Sequence, residues 1–189
     1  MRTFVQRIMF RKLYNAELGR ISVEEFHDSA KIPVALVLDN VRSQHNIGSA
    51  FRTSDAFRLE KIWLCGICAV PPSAEIHKSA LGAEFSVEWE YTPRTSDAIS
   101  RLRADGYTII SVEQAENSTS LERFRLEAGK KYALVFGNEV KGVDQEVVDA
   151  SDICLEIPQY GTKHSLNVSV SIGIVLWGLL GNIGDGILK

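Results

Sequence analysis

Three short segments of this chain combine small, polar and charged residues in patterns that could hold a small ligand and act on it. The first segment, 46–53, follows the apolar run 34–38. The second, the Gly-Asn-Glu-Val-Lys-Gly loop at 137–142, follows the apolar run 132–136. The third, 157–167, precedes a long apolar run. Glycine and proline after a buried strand leave backbone N–H and C=O groups accessible, so these junctions predict a binding pocket built largely from backbone.

The glycine loop at 137–142 has the G-x-x-x-x-G spacing of a P-loop, but it lacks the residues that bind phosphate and magnesium. Val143 and Asp144 stand where a P-loop has Lys followed by Ser or Thr. ATP binding through this loop is therefore excluded. When the loop is considered alone, a glycine turn that only ends a strand is the favoured explanation.

The segment 46–53 is predicted to begin a helix, with Asn46 as its N-cap. Gly48 and Arg52 are four residues apart and share one helix face, where the glycine would leave room for a ligand beside the guanidinium. Arg52 is also three residues before Asp55, so a surface ion pair between the two is the alternative interpretation.

The segment 157–167 joins a predicted strand to the final helix. Pro158 fixes the exit of the strand after Ile157, where backbone groups can meet the flat edge of a purine. Ser165 is predicted to cap the final helix, whose first N–H groups attract an anion. Asn167 would lie inside that helix, where its helix propensity is low and gives no local reason for its presence.

The order and spacing of the N-x-G-x-x-x-R, F-G-N-E-x-x-G and I-P-x7-L-N segments resemble the three motifs of the SpoU (TrmH-like) branch of the SPOUT RNA methyltransferases. The resemblance extends over roughly 32–180. It implies an enzyme that transfers a methyl group from S-adenosyl-L-methionine to a ribose 2'-hydroxyl of tRNA or rRNA. It also implies a homodimer with the active site close to the subunit interface, and a deep trefoil knot formed by the segments within 132–180.

The resemblance assigns roles to individual residues. The implied catalytic residues are Arg52, Asn46, Glu139, Ser165 and Asn167. The implied cofactor-binding residues are Gly137, Asn138, Gly142, Ile157 and Leu166. No metal is implied. Because a guanidinium holds its proton in water, the residues alone leave open whether Arg52 acts as a general base or as an electrostatic helper.

The three segments need a scaffold, and from Pro33 onward short aliphatic or β-branched runs alternate with helical patterns. The predicted strands are 34–38, 61–65, 84–90, 107–112, 132–136 and 153–157. The predicted helices are 46–58, 75–81, 95–104, 144–149 and 165–180. This alternation predicts an α/β fold with a parallel-dominated sheet and helices on both faces. Ligands bind such sheets at the carboxyl ends of the strands, where all three segments lie.

One catalytic domain is predicted at 31–189, preceded by a short helical extension at 1–30. The extension has helical patterns at 5–13 and 22–30, and the second begins with a capping box of Ser22 and Glu25. Its first 20 residues contain five basic residues and one acidic residue. A local basic arm of this kind is typical of contact with RNA.

The composition of the 189 residues, 45% hydrophobic and 24% charged, is that of a globular protein. The formal net charge of -3 argues against RNA binding, which normally needs clustered Lys and Arg. Three cysteines, an odd number, indicate a reduced compartment, and Cys65 and Cys68 are predicted to pack as small apolar residues. The longest apolar run, 168–180, is shorter than the roughly 20 residues of a membrane span, and no signal pattern is evident. A cytoplasmic location without membrane association is therefore expected.

Two other functions stay open at this point. A non-catalytic RNA-binding protein could have the same fold and would lack methyl transfer. A nucleotide-binding α/β domain is less favoured, because no G-x-G-x-x-G links a strand to a helix in the expected place.

Overall fold

In the computed structural model, which describes residues 10–180, seven strands form one sheet in the order β3-β2-β1-β6-β4-β7-β5. The strands are β1 Ile32–Asp39, β2 Leu59–Cys65, β3 Trp89–Thr92, β4 Tyr107–Val112, β5 Thr119–Ser120, β6 Lys131–Phe136 and β7 Ile153–Glu156. Every pairing between these strands is parallel. The predicted parallel α/β fold is confirmed.

Helices cover both faces of the sheet. They are α1 Val23–Asp28, α2 Gln44–Ala56, α3 Ala74–Ala80, α4 Ala83–Ser86, α5 Thr95–Ala104, α6 Gln145–Asp149 and α7 Val168–Leu180, after a short 3-10 helix at Asn15–Glu17. Because alternate residues of a strand face opposite sides, Leu36 and Leu38 of β1 join a core with α2 and α7. Ala35 and Val37 join a second core with α5 and α6. No helix within 10–180 combines the length and apolar character that crossing a bilayer requires.

The sheet order brings the functional loops together. Strands β6, β4 and β7 are neighbours, so the loops that follow their carboxyl ends emerge at one edge of the sheet. The loop after β6 contains the glycine loop at 137–142, and the loop after β7 contains 157–167. On its other side β6 pairs with β1, which is followed by α2 and the first motif.

The predicted strand at 84–90 is wrong, because its first half is helical. Gly82, with φ of 95°, begins the short helix α4, and Ser86 donates a hydrogen bond to the carbonyl of Ala83. Glu84 is buried, where it contacts His77 and accepts from the N–H of Gly82. Residues 84–86 therefore belong to a helical turn with a buried carboxylate, and β3 starts only at Trp89.

The N-terminal extension is partly as expected. Ser22 accepts from the N–H of Glu25, whose carboxylate accepts from the N–H of Ser22, so the predicted capping box is confirmed. Of the predicted helix at 5–13, residues 5–9 lie outside the described residues, and 10–13 are not helical.

Candidate active site

A cavity of about 540 Å³ lies at the carboxyl ends of β4, β6 and β7, and we call it the motif cavity. Its lining residues are Val112, Glu113, Gln114, Phe136, Gly137, Asn138, Glu139, Val140, Lys141, Gly142, Ile157, Gln159, His164, Ser165, Leu166, Asn167, Val168 and Ser171. All the predicted site residues line it except Asn46 and Arg52. The second and third motifs therefore meet in one cavity of ordinary size for a small molecule.

The glycines of the 137–142 loop are required by the packing of the loop itself. A Cβ on Gly137 would lie 2.0 Å from the carbonyl carbon of Gly142, and Gly142 has a left-handed φ of +72°. Asn138 and Gly142 exchange two backbone hydrogen bonds of 2.9 Å. The side chain of Asn138 accepts from the N–H of Val140 at 2.9 Å and donates to the carbonyl of Asn40 at 2.7 Å. The loop is thus a closed turn that offers its backbone edge to the cavity.

The carboxylate of Glu139 is held by three donors from the start of α2. It accepts from the N–H groups of Arg42 and Ser43 at 3.0 Å each, and from the side-chain amide of Asn46 at 2.9 Å. Partial burial raises the pKa of Glu139, but the hydrogen bonds outweigh burial and leave the pKa below its ordinary value. Glu139 is therefore ionised at neutral pH and joins the second motif to the first.

Asn46 also connects the first motif to the third. Its side-chain oxygen accepts from the amide of Asn167 at 3.2 Å. Asn46 is 6% exposed, so the hydrogen bonds to Glu139 and Asn167 are the partners that its buried amide needs. The three segments that are far apart in sequence are joined by one chain of side-chain contacts.

Both helix starts differ from the prediction. Ser43, not Asn46, caps α2, since its hydroxyl accepts from the N–H of Asn46. α7 begins at Val168, and the Asn167 side chain accepts from the N–H of Ser169 at 2.9 Å, so Asn167 rather than Ser165 provides the cap. Ser165 is left in the preceding loop, where it lines the motif cavity.

Gly48 and Arg52 also differ from the expected arrangement. A Cβ on Gly48 would lie 2.1 Å from the Ser79 hydroxyl, so this glycine allows α2 to pack against α3 and leaves no room for a ligand. Arg52 is exposed and lines a different cavity from the one formed by the second and third motifs. The interpretation of an ion pair with Asp55 is wrong within the described residues, because Asp55 instead accepts from the hydroxyl of Ser86.

Two residues after β4 were missed by the sequence prediction. Glu113 accepts from the N–H of Val143 at 2.9 Å, which ties it to the end of the glycine loop. Gln114 donates to the carbonyl of His164 at 2.7 Å, which ties it to the loop of the third motif. Their place directly after a strand next to β6 was the available signal, since neighbouring parallel strands end at the same edge.

The two cysteines of the C-x-x-C segment pack in the interior. Cys65 and Cys68 are buried, and Cys68 donates to the carbonyl of Leu38. Burial raises the pKa of Cys65 to about 12 and that of Cys68 to about 11. Both thiols are therefore protonated at neutral pH and behave as small apolar groups.

Comparison with known proteins agrees with this arrangement. Residues 33–177 match the profile of the SpoU rRNA Methylase family. The chain is 29% identical over 153 residues to a tRNA (guanosine(18)-2'-O)-methyltransferase of Borreliella burgdorferi, a match that covers 78% of this chain and 66% of the relative. It is 34% identical over 142 residues to a 23S rRNA (guanosine-2'-O-)-methyltransferase of Nitrosomonas europaea, with 75% of this chain and 54% of the relative covered.

A solved structure has the same fold. The AdoMet-bound rRNA methyltransferase from Sinorhizobium meliloti superposes with a TM-score of 0.75 at 28% identity, over 84% of this chain and 60% of that one. This chain therefore spans between about half and two thirds of the length of these three proteins. Since the family profile covers most of the sequence, including all three motifs, the chain belongs to the SpoU rRNA Methylase family.

Proposed function

We propose that this protein is an S-adenosyl-L-methionine-dependent methyltransferase that modifies a ribose 2'-hydroxyl of tRNA or rRNA. One observation carries the proposal: Glu139 and Asn167 line a single cavity, and Asn46 of the first motif joins them through hydrogen bonds. The relatives support the reaction class, because their names describe 2'-O-methylation of tRNA and of 23S rRNA. The S. meliloti structure supports the cofactor, because it contains AdoMet.

The residues of the motif cavity fit the proposed cofactor. Its volume of about 540 Å³ lies within the range of roughly 300–1,000 Å³ that small-molecule sites occupy. Gly137 and Ile157 would offer backbone groups to the flat purine, and Leu166, which is 38% exposed, would offer an apolar side chain. Asn138 and Gly142 would hold the loop that forms one wall. When bound, S-adenosyl-L-methionine supplies an electrophilic methyl group on its sulfonium.

The residues around the cavity would position the ribose and stabilise charge. Glu139 is ionised but already accepts three hydrogen bonds, so we assign it to holding α2 in place rather than to removing a proton. Ser165 and Asn167 would face the reacting hydroxyl. Arg52 lines a different cavity from the one that would hold the cofactor, so we assign it to binding a phosphate of the RNA rather than to removing the proton of the hydroxyl.

We also propose that the protein forms a homodimer through α7. Three large apolar side chains of this helix, at four- and three-residue spacing, stay exposed in the single chain: Val170 at 49%, Ile174 at 38% and Trp177 at 69%. An exposed apolar stripe on one helix face is typical of a helix that packs against a partner. Trp177→Lys should shift the protein towards monomer in sedimentation, whereas Tyr160→Lys, at an exposed loop position, should not.

The trefoil knot expected within 132–180, the division of the chain near residue 30 and the cytoplasmic location stay predictions. The knot is supported by membership of the family alone. The N-terminal basic arm stays a proposed RNA contact, and deleting residues 1–20 should weaken RNA binding while cofactor affinity is unchanged.

Calorimetry with S-adenosyl-L-methionine and a methyl-incorporation assay on tRNA and rRNA test the proposed function together. We expect binding of one cofactor per chain, and incorporation that Asn167→Ala reduces by about a hundredfold, since it breaks the contact with Asn46 and the cap of α7. Ser118→Ala, outside the cavity, serves as a control that should keep incorporation. Cofactor binding without incorporation on any RNA would favour the non-catalytic alternative, and absence of cofactor binding would refute the proposal.

A further inference from the structure

A second cavity, of about 720 Å³, lies between the N-terminal extension and the outer side of α2. It shares no lining residue with the motif cavity. Its charged lining residues are Arg20, Arg52, Arg58 and Asp55. We call it the arginine cavity. Three guanidinium groups against one carboxylate make it locally positive, although the whole chain has a formal net charge of -3.

None of the three arginines forms an ion pair with another described residue. Ten ion pairs occur among residues 10–180, and none of them includes Arg20, Arg52 or Arg58. The one carboxylate of the cavity, on Asp55, is already bonded to the hydroxyl of Ser86. Within residues 10–180, the three guanidinium groups thus have no acidic partner at ion-pair distance and can pair with an added anion.

The backbone conformation of Arg58 makes its side chain suitable for a mutational test. Arg58 follows the end of α2 with φ of 49°, in the left-handed region where glycine is favoured. Its N–H donates to the carbonyl of Asp55, and its carbonyl accepts from the N–H of Ile32, so this conformation is fixed. Because the left-handed region favours glycine, replacing Arg58 by glycine removes the guanidinium without straining the backbone.

Helix α2 links the two cavities. Asn46, in its first turn, contacts Glu139 in the wall of the motif cavity, and Arg52 lies six residues later, about 9 Å along the helix axis. Arg58 lies just past the other end of the same helix. An RNA strand whose target ribose occupies the motif cavity would thus meet these arginines as it continues along α2.

We propose that the arginine cavity binds backbone phosphates of the substrate RNA next to the nucleotide that is methylated. The proposal rests on the proposed function and adds to it the place where the RNA backbone is held. Cationic groups spread along a helix suit a chain of phosphates better than a single free anion, since each guanidinium can pair with its own phosphate. Such contacts carry no sequence information and fix the position of the strand.

Arg58→Gly tests the proposal, because glycine suits the left-handed backbone and the variant is expected to fold at least as well as the parent. Leu81→Gly is the matched control: Leu81 lines the same cavity with φ of 53°, but it is uncharged. Arg20→Ala is a second variant that leaves the fixed backbone at 58 unaltered. Binding of a tRNA transcript and of an rRNA fragment is measured over a salt series, with cofactor affinity by calorimetry and thermal unfolding as parallel measurements.

We expect Arg58→Gly and Arg20→Ala each to weaken RNA binding about three- to tenfold and to reduce the salt slope by about 0.7–1, the contribution of one phosphate contact. Leu81→Gly should leave RNA affinity within about twofold, and all three variants should keep cofactor affinity. Equal RNA affinity of Arg58→Gly, Arg20→Ala and the parent would overturn the arginine cavity as a phosphate site while leaving the proposed function intact. Failure of the parent to bind either RNA would overturn both.

Discussion

The motif cavity and the arginine cavity lie beside the same helix but are constructed in opposite ways. In the motif cavity, the polar side chains bond to each other and to backbone, as Glu139 does with three donors. In the arginine cavity, the guanidinium groups of Arg20, Arg52 and Arg58 have no ion pair within the described chain. The first arrangement suits a ligand of fixed shape, and the second suits a flexible polyanion, because paired groups are preorganised and free cations can adjust.

The largest effect is expected from Gly137→Ala, because the added Cβ would lie 2.0 Å from backbone that cannot move without opening the loop. We expect the free energy of unfolding to fall by at least about 2 kcal/mol and cofactor binding to be lost. Gly161→Ala is the control, since its Cβ would meet nothing within 4 Å. Denaturant unfolding and calorimetry measure both quantities, and a Gly137→Ala variant with parental cofactor affinity would show that the loop is not a rigid wall.

A smaller effect is expected from Glu139→Gln, which removes the charge that the N–H groups of Arg42 and Ser43 bind. The expected loss is about 1–2 kcal/mol of stability at pH 7, with methyl transfer reduced more than cofactor affinity. Because the pKa of Glu139 is below its ordinary value of 4.5, its charge stabilises the fold above that pH. This contribution disappears as the pH falls through the lower pKa of the folded protein.

The pH dependence of the unfolding free energy distinguishes the contribution of the Glu139 charge from that of the side chain's size and shape. The difference in unfolding free energy between the parent and Glu139→Gln should be largest near pH 7 and should shrink as the pH is lowered below 4.5. Urea unfolding at several pH values measures this difference. If the difference in unfolding free energy stays constant with pH, the charge of the carboxylate does not contribute to stability.

Glu113→Ala should have a more local effect. The N–H of Val143 loses its acceptor, which loosens the glycine loop, and cofactor affinity should fall about tenfold, or about 1.4 kcal/mol. The turnover rate at saturating cofactor should change little, since Glu113 contacts the loop and not the first motif. Glu116→Ala, two residues after Gln114 in the same loop, serves as the control and should bind the cofactor like the parent. A fall in turnover without a change in affinity would contradict the assigned role.

The smallest effect is expected from salt on cofactor binding in the motif cavity. Salt should weaken RNA binding at the arginine cavity much more, so it distinguishes the two cavities. Raising the salt concentration from about 50 to 200 mM should change cofactor affinity by less than about twofold, because that site relies on backbone and apolar contacts. The same change should weaken RNA binding by about threefold for each phosphate contact. Titrations of both ligands over one salt series measure the difference, and parallel slopes would remove the distinction between the cavities.

Much of the scaffold could be predicted because local periodicity determined it. Helix α5 and strand β4 have the predicted bounds, Thr95–Ala104 and Tyr107–Val112, since each has a regular apolar face and clear ends. The strand predicted at 84–90 failed because the buried Glu84 is satisfied by His77, which is a tertiary contact. Tertiary partners of this kind are not visible in a local pattern.

The residues of the site also divide into those that the sequence predicted and those that depend on tertiary contacts. The glycine loop and Asn167 were found because their residue types are unusual for the positions they occupy. Glu113 and Arg58 were missed because single charged residues outside regular elements have many structural roles, and only the fold shows which of them meet. Asn46 was predicted to cap α2 and, from the family resemblance, to take part in catalysis; in the structure it connects Glu139 and Asn167.

The hydrogen-bonded link from Glu139 through Asn46 has a thermodynamic consequence, since it joins the cofactor loop to the helix that bears Arg52. If binding of the methyl donor raises the affinity for nucleic acid by some factor, binding of nucleic acid must raise the affinity for the methyl donor by the same factor. Because the two affinities rise by the same factor, this coupling does not determine which substrate binds first. Any obligatory order of addition would have to arise from rates rather than from affinities.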